Sequence, residues 1–315
     1  MNKKIRILFA GTPGIGLPSL LALLNTPEAE VAGILTAPDA PKKRKNTPEP
    51  SEISSAGAQA EPRLRQFKPQ TLDAQARAAI SEIQPDLLVA FAYGRIFGPK
   101  FLELFPLGGI NVHPSLLPKY RGPSPISAAI LHRDSETGVT IQRIALELDA
   151  GDILAQERFP LKDRETAASL TETAARKAGT MLPRVIAEIA RQGVSGRPQE
   201  GRVSYCPRIA KTDGRIDWTQ SAEALDAHIR AYTPWPLAYT LHGDRYLYIL
   251  AAEGVPGKDQ AEPGAVLGIQ GDRGILVQTG AGILGLTRLQ YQAKKALPWQ
   301  EFLNGARDIL KAHLR

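Results

Sequence analysis

The stretch INVHPSLLP, residues 110–118, places an amide, an imidazole and a hydroxyl within five residues of one another at the end of an apolar run. In an extended strand residues i and i+2 share a face, so Asn111 and His113 project side by side. An amide N–H can donate to a developing oxyanion, and an imidazole exchanges a proton near neutral pH. A carboxylate able to orient and charge that imidazole stands further on, in LELDAGDIL, where Asp149 precedes Gly151 beside a turn. Asp152 is the alternative, but it opens the next strand and could simply cap the turn. The competing structural reading is a core histidine satisfied by an asparagine, and the carboxylate weighs against it. No activated Ser, Cys or Lys accompanies the three residues, which suits direct group transfer rather than a covalent enzyme intermediate.

Such residues need a scaffold, and the chain before them alternates strand and helix signals. Apolar runs at 5–11, 31–36, 86–93 and 109–113 predict strands, and 71–83 predicts an amphipathic helix with Thr71 as its cap. A short helix is expected at 99–105, and further strands at 138–145 and 152–161. Continuous apolar strands separated by helices imply an α/β fold whose parallel-rich sheet is covered on both faces. Asn111 and His113 would then lie at the carboxyl end of a sheet strand, where open α/β folds bind ligands. Residues 165–191 read as a helix interrupted at Pro183.

The pattern changes after that helix. RQGVSGRPQEG, at 191–201, has the composition of a linker. Beyond it come one helix at 221–232 and several short strands with Gly turns, which predict a small β-barrel of the oligonucleotide-binding (OB) kind. The expected division is a catalytic domain at 1–192, a linker at 193–207 and a barrel domain at 208–315.

Charge and composition narrow the function. The chain of 315 residues carries a net charge of +7 and one cysteine, Cys206. A lone cysteine excludes an internal disulfide and a cysteine-built metal site, and no other metal ligand set is evident. Between positions 42 and 68 seven basic residues face three acidic ones, a net of +4, and Lys42, Lys43, Arg44 and Lys45 form its core. Such a cluster suits an anionic partner, most simply a nucleic acid backbone, although a bare basic run can also be a solvated loop. From Arg208 onward thirteen basic and eleven acidic residues nearly cancel, so a nucleic acid contact there must be a local patch. The apolar runs are too short to span a membrane, and MNKKIRILFAGTPG passes into a Gly/Pro turn rather than a cleavage site, so a cytoplasmic protein is expected.

FAGTPGIG sits where a dinucleotide-binding turn would be. Its glycines run G-x-x-G-x-G, and no acidic residue ends the second strand, so nicotinamide binding is disfavoured.

GINVHPSLLPKYRGPSPI, followed by ETGVTI and LDAGDIL, resembles the folate-dependent formyltransferases. FAGTP at the start, AYGRI at 92–96, RIDW at 215–218 and IRAYTPWP at 229–236 extend the resemblance over nearly the full length. It implies a Rossmann-like formyl-transfer domain joined to an OB-like barrel, and transfer of a formyl group from 10-formyltetrahydrofolate to the amino group of methionine on initiator tRNA. The family's catalytic Asn, His and Asp fall on Asn111, His113 and Asp149. Its folate-contacting S-L-L-P falls on Ser115, Leu116, Leu117 and Pro118, and the backbone around Phe91, Ala92 and Tyr93 is expected to line the pterin pocket. Lys42, Lys43, Arg44 and Lys45 are expected to meet the tRNA, whose partner is expected to be a monomer. Two departures stand out: PDAPKKRKNTPEPSE lacks the Gly-Arg-Gly element of the relatives' basic loop, and Pro114 stands where relatives often carry Gly.

On this reading the free α-amine attacks the formyl carbon, Asn111 and a protonated His113 stabilise the oxyanion, and Asp149 keeps His113 charged and helps move the amine proton to N10. A small-amine acceptor, glycinamide ribonucleotide or an amino-sugar nucleotide, would use the same three residues without needing a basic loop. A formyl-tetrahydrofolate hydrolase would likewise not need one. A non-catalytic RNA-binding module would leave the Asn, His and Asp without a task.

Overall fold

The run IRILFAG becomes β1 (Ile5–Gly11), and its alternate side chains have apolar partners on both faces: Ile7, Leu8 and Phe9 are wholly buried. This is the signature of a strand covered by helices on both sides. The computed structural model describes residues 4–41, 47–255, 257 and 261–315. The remaining strands of the first half are β2 (Ala29–Leu35), the two-residue pair β3 (Ala40–Pro41) and β4 (Pro48–Glu49), β5 (Arg65–Phe67), β6 (Leu87–Phe91), β7 (Gly109–His113), β8 (Glu136–Arg143) and β9 (Ile153–Pro160). Seven of them form one sheet in the order β5-β2-β1-β6-β7-β8-β9. It is parallel from β5 to β7 and antiparallel from β7 to β9. The order turns back between β1 and β6, the switch point of an open α/β sheet.

Two local expectations are corrected. The helix predicted from Thr71 begins later, at Ala74–Ser81, and Asp73 caps it by accepting from the Ala76 N–H at 2.9 Å. An ionised carboxylate is the stronger acceptor, and the Thr71 hydroxyl merely supports it, donating to Asp73 Oδ2 at 2.9 Å. The second concerns Pro183, which does not interrupt its helix: Ala167–Gln192 runs through it. The residue four positions before Pro183 is Gly179, and it lies against the Pro18 backbone, where a Cβ would be crowded at 3.0–3.1 Å. The carbonyl that a proline ring would meet thus belongs to the residue with the least side-chain constraint.

Compact units group residues differently from the expected domain division. Positions 1–125, 136–160 and 171–206 form one unit, and 126–135, 161–170 and 207–315 form the other. The segment expected to be a linker is therefore built into the first unit. Arg197 exchanges both backbone hydrogen bonds with Ile153, and Arg121 bonds Ser204 and Cys206 through its N–H and carbonyl. A chain whose backbone groups are satisfied in this way is structure rather than spacer. In the second unit Ser127 donates to the Ala231 carbonyl at 2.9 Å, and Arg164 meets Asp226 at 3.1 Å.

The second unit carries β10 (Ala238–His242), β11 (Arg245–Val255), β12 (Val266–Gln270), β13 (Gly274–Gln278), β14 (Ile283–Tyr291) and β15 (Leu297–Pro298), all antiparallel. Their order is β10-β11-β14-β13-β12, with β15 on β14. The ladders form a path whose two ends are bridged by the C-terminal residues. Arg315 exchanges both backbone hydrogen bonds with Leu241 of β10, and the Val266 N–H of β12 donates to the Ala312 carbonyl at 3.1 Å. Leu225, Ile229, Leu247, Ile249, Val277 and Leu286 are among the wholly buried side chains of this core.

Candidate active site

β7 and β8 pair with Asn111 opposite Gln142 and His113 opposite Thr140, so these four side chains share one face of the sheet. The connection 144–152 folds back over that face and delivers Asp149. Asp149 sits at φ 50°, in the left-handed region that Asp tolerates better than most residues, and its carboxylate accepts hydrogen bonds from side chains and backbone alike. Oδ1 accepts from Gln142 Nε2 at 2.9 Å and Asn111 Nδ2 at 3.3 Å, and Oδ2 accepts from the Gly122 N–H at 2.8 Å. The turn is possible because position 151 is Gly: a Cβ there would collide with the Arg143 carbonyl oxygen.

His113 is 4% exposed. Its Nε2 lies 2.9 Å from the carbonyl oxygen of Tyr120, a residue at φ 59°, and its Nδ1 lies 3.5 Å from Asp149 Oδ2. A carbonyl can only accept, so the Nε2 carries a proton, and Nδ1 is the nitrogen left to exchange one. Burial lowers the His113 pKa, and the Asp149 carboxylate and the Tyr120 carbonyl oppose that without reversing it. The expectation of a resting imidazolium is thereby corrected: desolvation favours the neutral ring. Both ring nitrogens are also turned to protein oxygens, so His113 is not aimed at an oxyanion in the cleft.

The cleft itself is a cavity of about 140 Å³ lined by Arg95, Ile96, Phe97, Asn111, Gln142, residues 143–146, Leu148 and Asp149. Cavities of about 460 Å³ beside Gln66–Asp73 and about 520 Å³ along Ile153–Gln156 are larger. Both also carry amides and a carboxylate. Only the smaller cavity has on its wall an amide and a carboxylate, Asn111 and Asp149, that contact each other and, through Asp149, the buried His113. Convergent chemistry rather than size therefore selects it.

The structure brings Asn111, His113 and Asp149 together. The folate-directed residues are not among those lining this cavity. Ser115, Leu117 and Pro118 are buried and Leu116 is half-buried. Their polar groups are spent on the scaffold: Thr140 Oγ1 donates to the Ser115 carbonyl at 2.7 Å, and Gln156 Nε2 donates to the Leu117 carbonyl at 3.0 Å. Phe91 is wholly buried at the end of β6, Ala92 is exposed at φ 54°, and the Tyr93 ring stacks on Phe97 at 5.4 Å. Lys42, Lys43, Arg44 and Lys45 lie outside the described residues. Among the described residues no group of three or more His, Cys, Asp or Glu is arranged to hold a metal ion, and no helix is long and apolar enough to cross a membrane.

Sequence reasoning missed Gln142, Gln199, Arg121 and Tyr120. Gln142 left a faint signal, as the polar residue interrupting the apolar run GVTIQRIA. Gln199 left none, because its role depends on where 197–206 runs in space.

Residues 3–186 match the family described as Formyl transferase, and residues 208–307 match Formyl transferase, C-terminal domain. The chain is 42% identical over 320 residues to a methionyl-tRNA formyltransferase of Treponema denticola, covering 98% of each chain. Among solved structures, HypX from Aquifex aeolicus in complex with tetrahydrofolic acid superposes with a TM-score of 0.64 at 18% identity, over 96% of this chain and 47% of that one. An N-formyltransferase from Helicobacter canadensis, in complex with folinic acid and dTDP-3-aminofucose, gives a TM-score of 0.65 at 19% identity over 90% and 99%. These two likenesses concern the fold.

Proposed function

The chain belongs to the formyl transferase family, and from that premise we propose that it transfers the formyl group of 10-formyltetrahydrofolate to the α-amino group of methionine esterified to initiator tRNA. The observation that carries the acceptor is the 42% identity, over 98% of both chains, to a relative named methionyl-tRNA formyltransferase. The chemistry is supported by Asn111, His113 and Asp149 converging beside one cavity.

The α-amine, whose ordinary pKa is roughly 7.7–8.0, attacks the formyl carbon as the free base. A carbon–nitrogen bond forms and the formyl oxygen takes up negative charge. Asn111 spends one Nδ2 hydrogen on Asp149 and has a second for that oxygen, being half-buried on the cavity wall. The adduct then holds one proton too many on the new nitrogen and needs one on N10 before the old bond can break. Asp149 and the neutral His113 take that proton up and release it to N10: Nδ1 accepts it, and the adjacent carboxylate stabilises the imidazolium for as long as it exists. His113 is thus assigned proton transfer and Asn111 the oxyanion.

The apolar wall formed by Ile96, Phe97, Ile144 and Leu146 suits the flat face of a pterin, with Phe91, Ala92, Tyr93 and the segment Ser115, Leu116, Leu117, Pro118 backing it. Lys42, Lys43, Arg44 and Lys45 meet the tRNA backbone, and the domain from 208 adds a local contact. The enzyme works in the cytoplasm as a monomer, which size-exclusion chromatography of the purified chain checks.

The deciding experiment measures formyl transfer from 10-formyltetrahydrofolate to charged initiator tRNA, with charged elongator methionine tRNA and amino-sugar nucleotides as parallel acceptors. Transfer confined to the initiator is expected. Transfer to a small amine with the tRNA ignored would overturn the acceptor and leave the site chemistry standing.

A further inference from the structure

Gln199 lies under the 149–151 turn, far in sequence from every residue assigned so far. Arg121, only 7% exposed, donates to Gln199 Oε1 from Nε at 3.2 Å and from Nη2 at 2.9 Å, while its Nη1 meets Glu147 at 2.9 Å. A guanidinium offers donors and no acceptor, so the Gln199 amide has one permitted orientation, oxygen toward Arg121. Its nitrogen therefore faces the other way. It donates to the carbonyl oxygens of Asp149 at 2.8 Å and Gly151 at 2.9 Å, with Gln142 Oε1 3.1 Å away. That contact orients Gln142 in turn: its oxygen faces Gln199 and its nitrogen faces Asp149 Oδ1 at 2.9 Å.

We propose that Gln199 and Gln142 are positioning residues that form a directional hydrogen-bond relay, set by Arg121, which holds Asp149 as an anion in its proton-transfer position. Reversing either amide would set an oxygen against the Asp149 carbonyl or its carboxylate, and in a buried network such a mismatch is costly. The relay grips Asp149 twice, through the carbonyl that keeps its left-handed backbone in place and through the carboxylate oxygen shared with Asn111. It also frees Asn111 from being the sole donor to Oδ1. Gln142 is 1% exposed and stands directly across the β7–β8 ladder from Asn111, so the two amides reach that oxygen from adjacent strands.

This inference rests on the formyl-transfer reading and on the role given there to Asp149. The test compares wild type with Gln142→Ala, Gln199→Ala, Gln199→Glu and the double Ala variant, measuring kcat, KM for 10-formyltetrahydrofolate and Tm. Gln142→Ala costs Gln199 one contact and leaves its bonds to Arg121, Asp149 and Gly151, and Gln199→Glu keeps the side chain's shape, so the test does not depend on the most disruptive variant folding. Each single change is expected to lower kcat about 10- to 100-fold, with the folate KM little altered. Because the two residues act in series, the double variant is expected to lose little more than the worse single one. Unchanged kcat, a folate KM that rises in step with the fall in kcat, or losses that multiply in the double variant would overturn the relay. An inactive wild type would instead overturn the formyl-transfer reading.

Discussion

His113 Nδ1 lies 3.5 Å from Asp149 Oδ2, and the burial of the ring outweighs that carboxylate, holding the imidazole below its ordinary pKa. The direction fixes a stability signature. A folded pKa below the unfolded value of about 6.5 means that the unfolded chain binds more protons in the window between the two. The contribution is fully present above about pH 6.5 and is lost as pH falls from there through the folded pKa. Thermal unfolding of wild type should therefore weaken on acidification more steeply than that of His113→Gln. The variant comparison is needed because burial also lowers the pKa of His228 and His242. Parallel curves of Tm against pH would contradict the assignment.

Asp149→Asn removes the carboxylate that raises the His113 pKa. The ring is expected to titrate lower still, which the imidazole proton resonances report directly, and kcat is expected to collapse while the protein stays folded. An unshifted His113 titration would mean that the two groups do not communicate.

Asn111→Ala tests the oxyanion assignment separately from proton transfer. Losing one such donor costs about 3–4 kcal/mol, or roughly 10²- to 10³-fold in kcat. The folate KM should change little, because the interaction is made in the transition state. A rise in the folate KM at constant kcat would move Asn111 from transition-state to ground-state binding.

Gly151→Ala should act on the site from the backbone. The new Cβ meets the Arg143 carbonyl oxygen, which is backbone and not a flexible side chain, so the 144–152 connection has to shift. A displacement of about 1 Å at Asp149 can cost on the order of 10²-fold in rate. Stability should fall by about 1–3 kcal/mol, read from urea denaturation. Wild-type activity in this variant would show that Asp149 tolerates movement.

Neutralising Lys42, Lys43, Arg44 and Lys45 to Ala should raise the KM for tRNA and flatten its dependence on salt, because fewer phosphate charges are matched. kcat at saturating tRNA should hold. An unaltered salt slope would return these four residues to a solvated loop.

Much of the scaffold was legible because it rests on local physics. The run LLVAF at β6 and the alternation of GINVH at β7 follow from burial and strand parity, and both strands lie where periodicity placed them. Less legible were the helix start at Asp73 and the helix through Pro183. There a side-chain cap and the accident of Gly179 at the right spacing overrode the simpler signals. The segment 193–207 read as a linker from its Gly and Pro content, and the first unit holds it up to Cys206. Its real partners, Ile153 and Arg121, are distant in sequence, and no local pattern announces them.

The sequence by itself determined that Asn111 and His113 share a face, since two-residue parity is a property of the strand, and that a carboxylate was at hand in LDAGD. It could not determine which way the amides of Gln142 and Gln199 point, or that Tyr120 turns its carbonyl to His113. Those depend on the β7–β8 register and on where 197–206 returns across the fold. Nor could it determine the resting protonation of His113. The residue types around that ring favour a charge, whereas burial, which only the packed tertiary structure supplies, disfavours it and prevails.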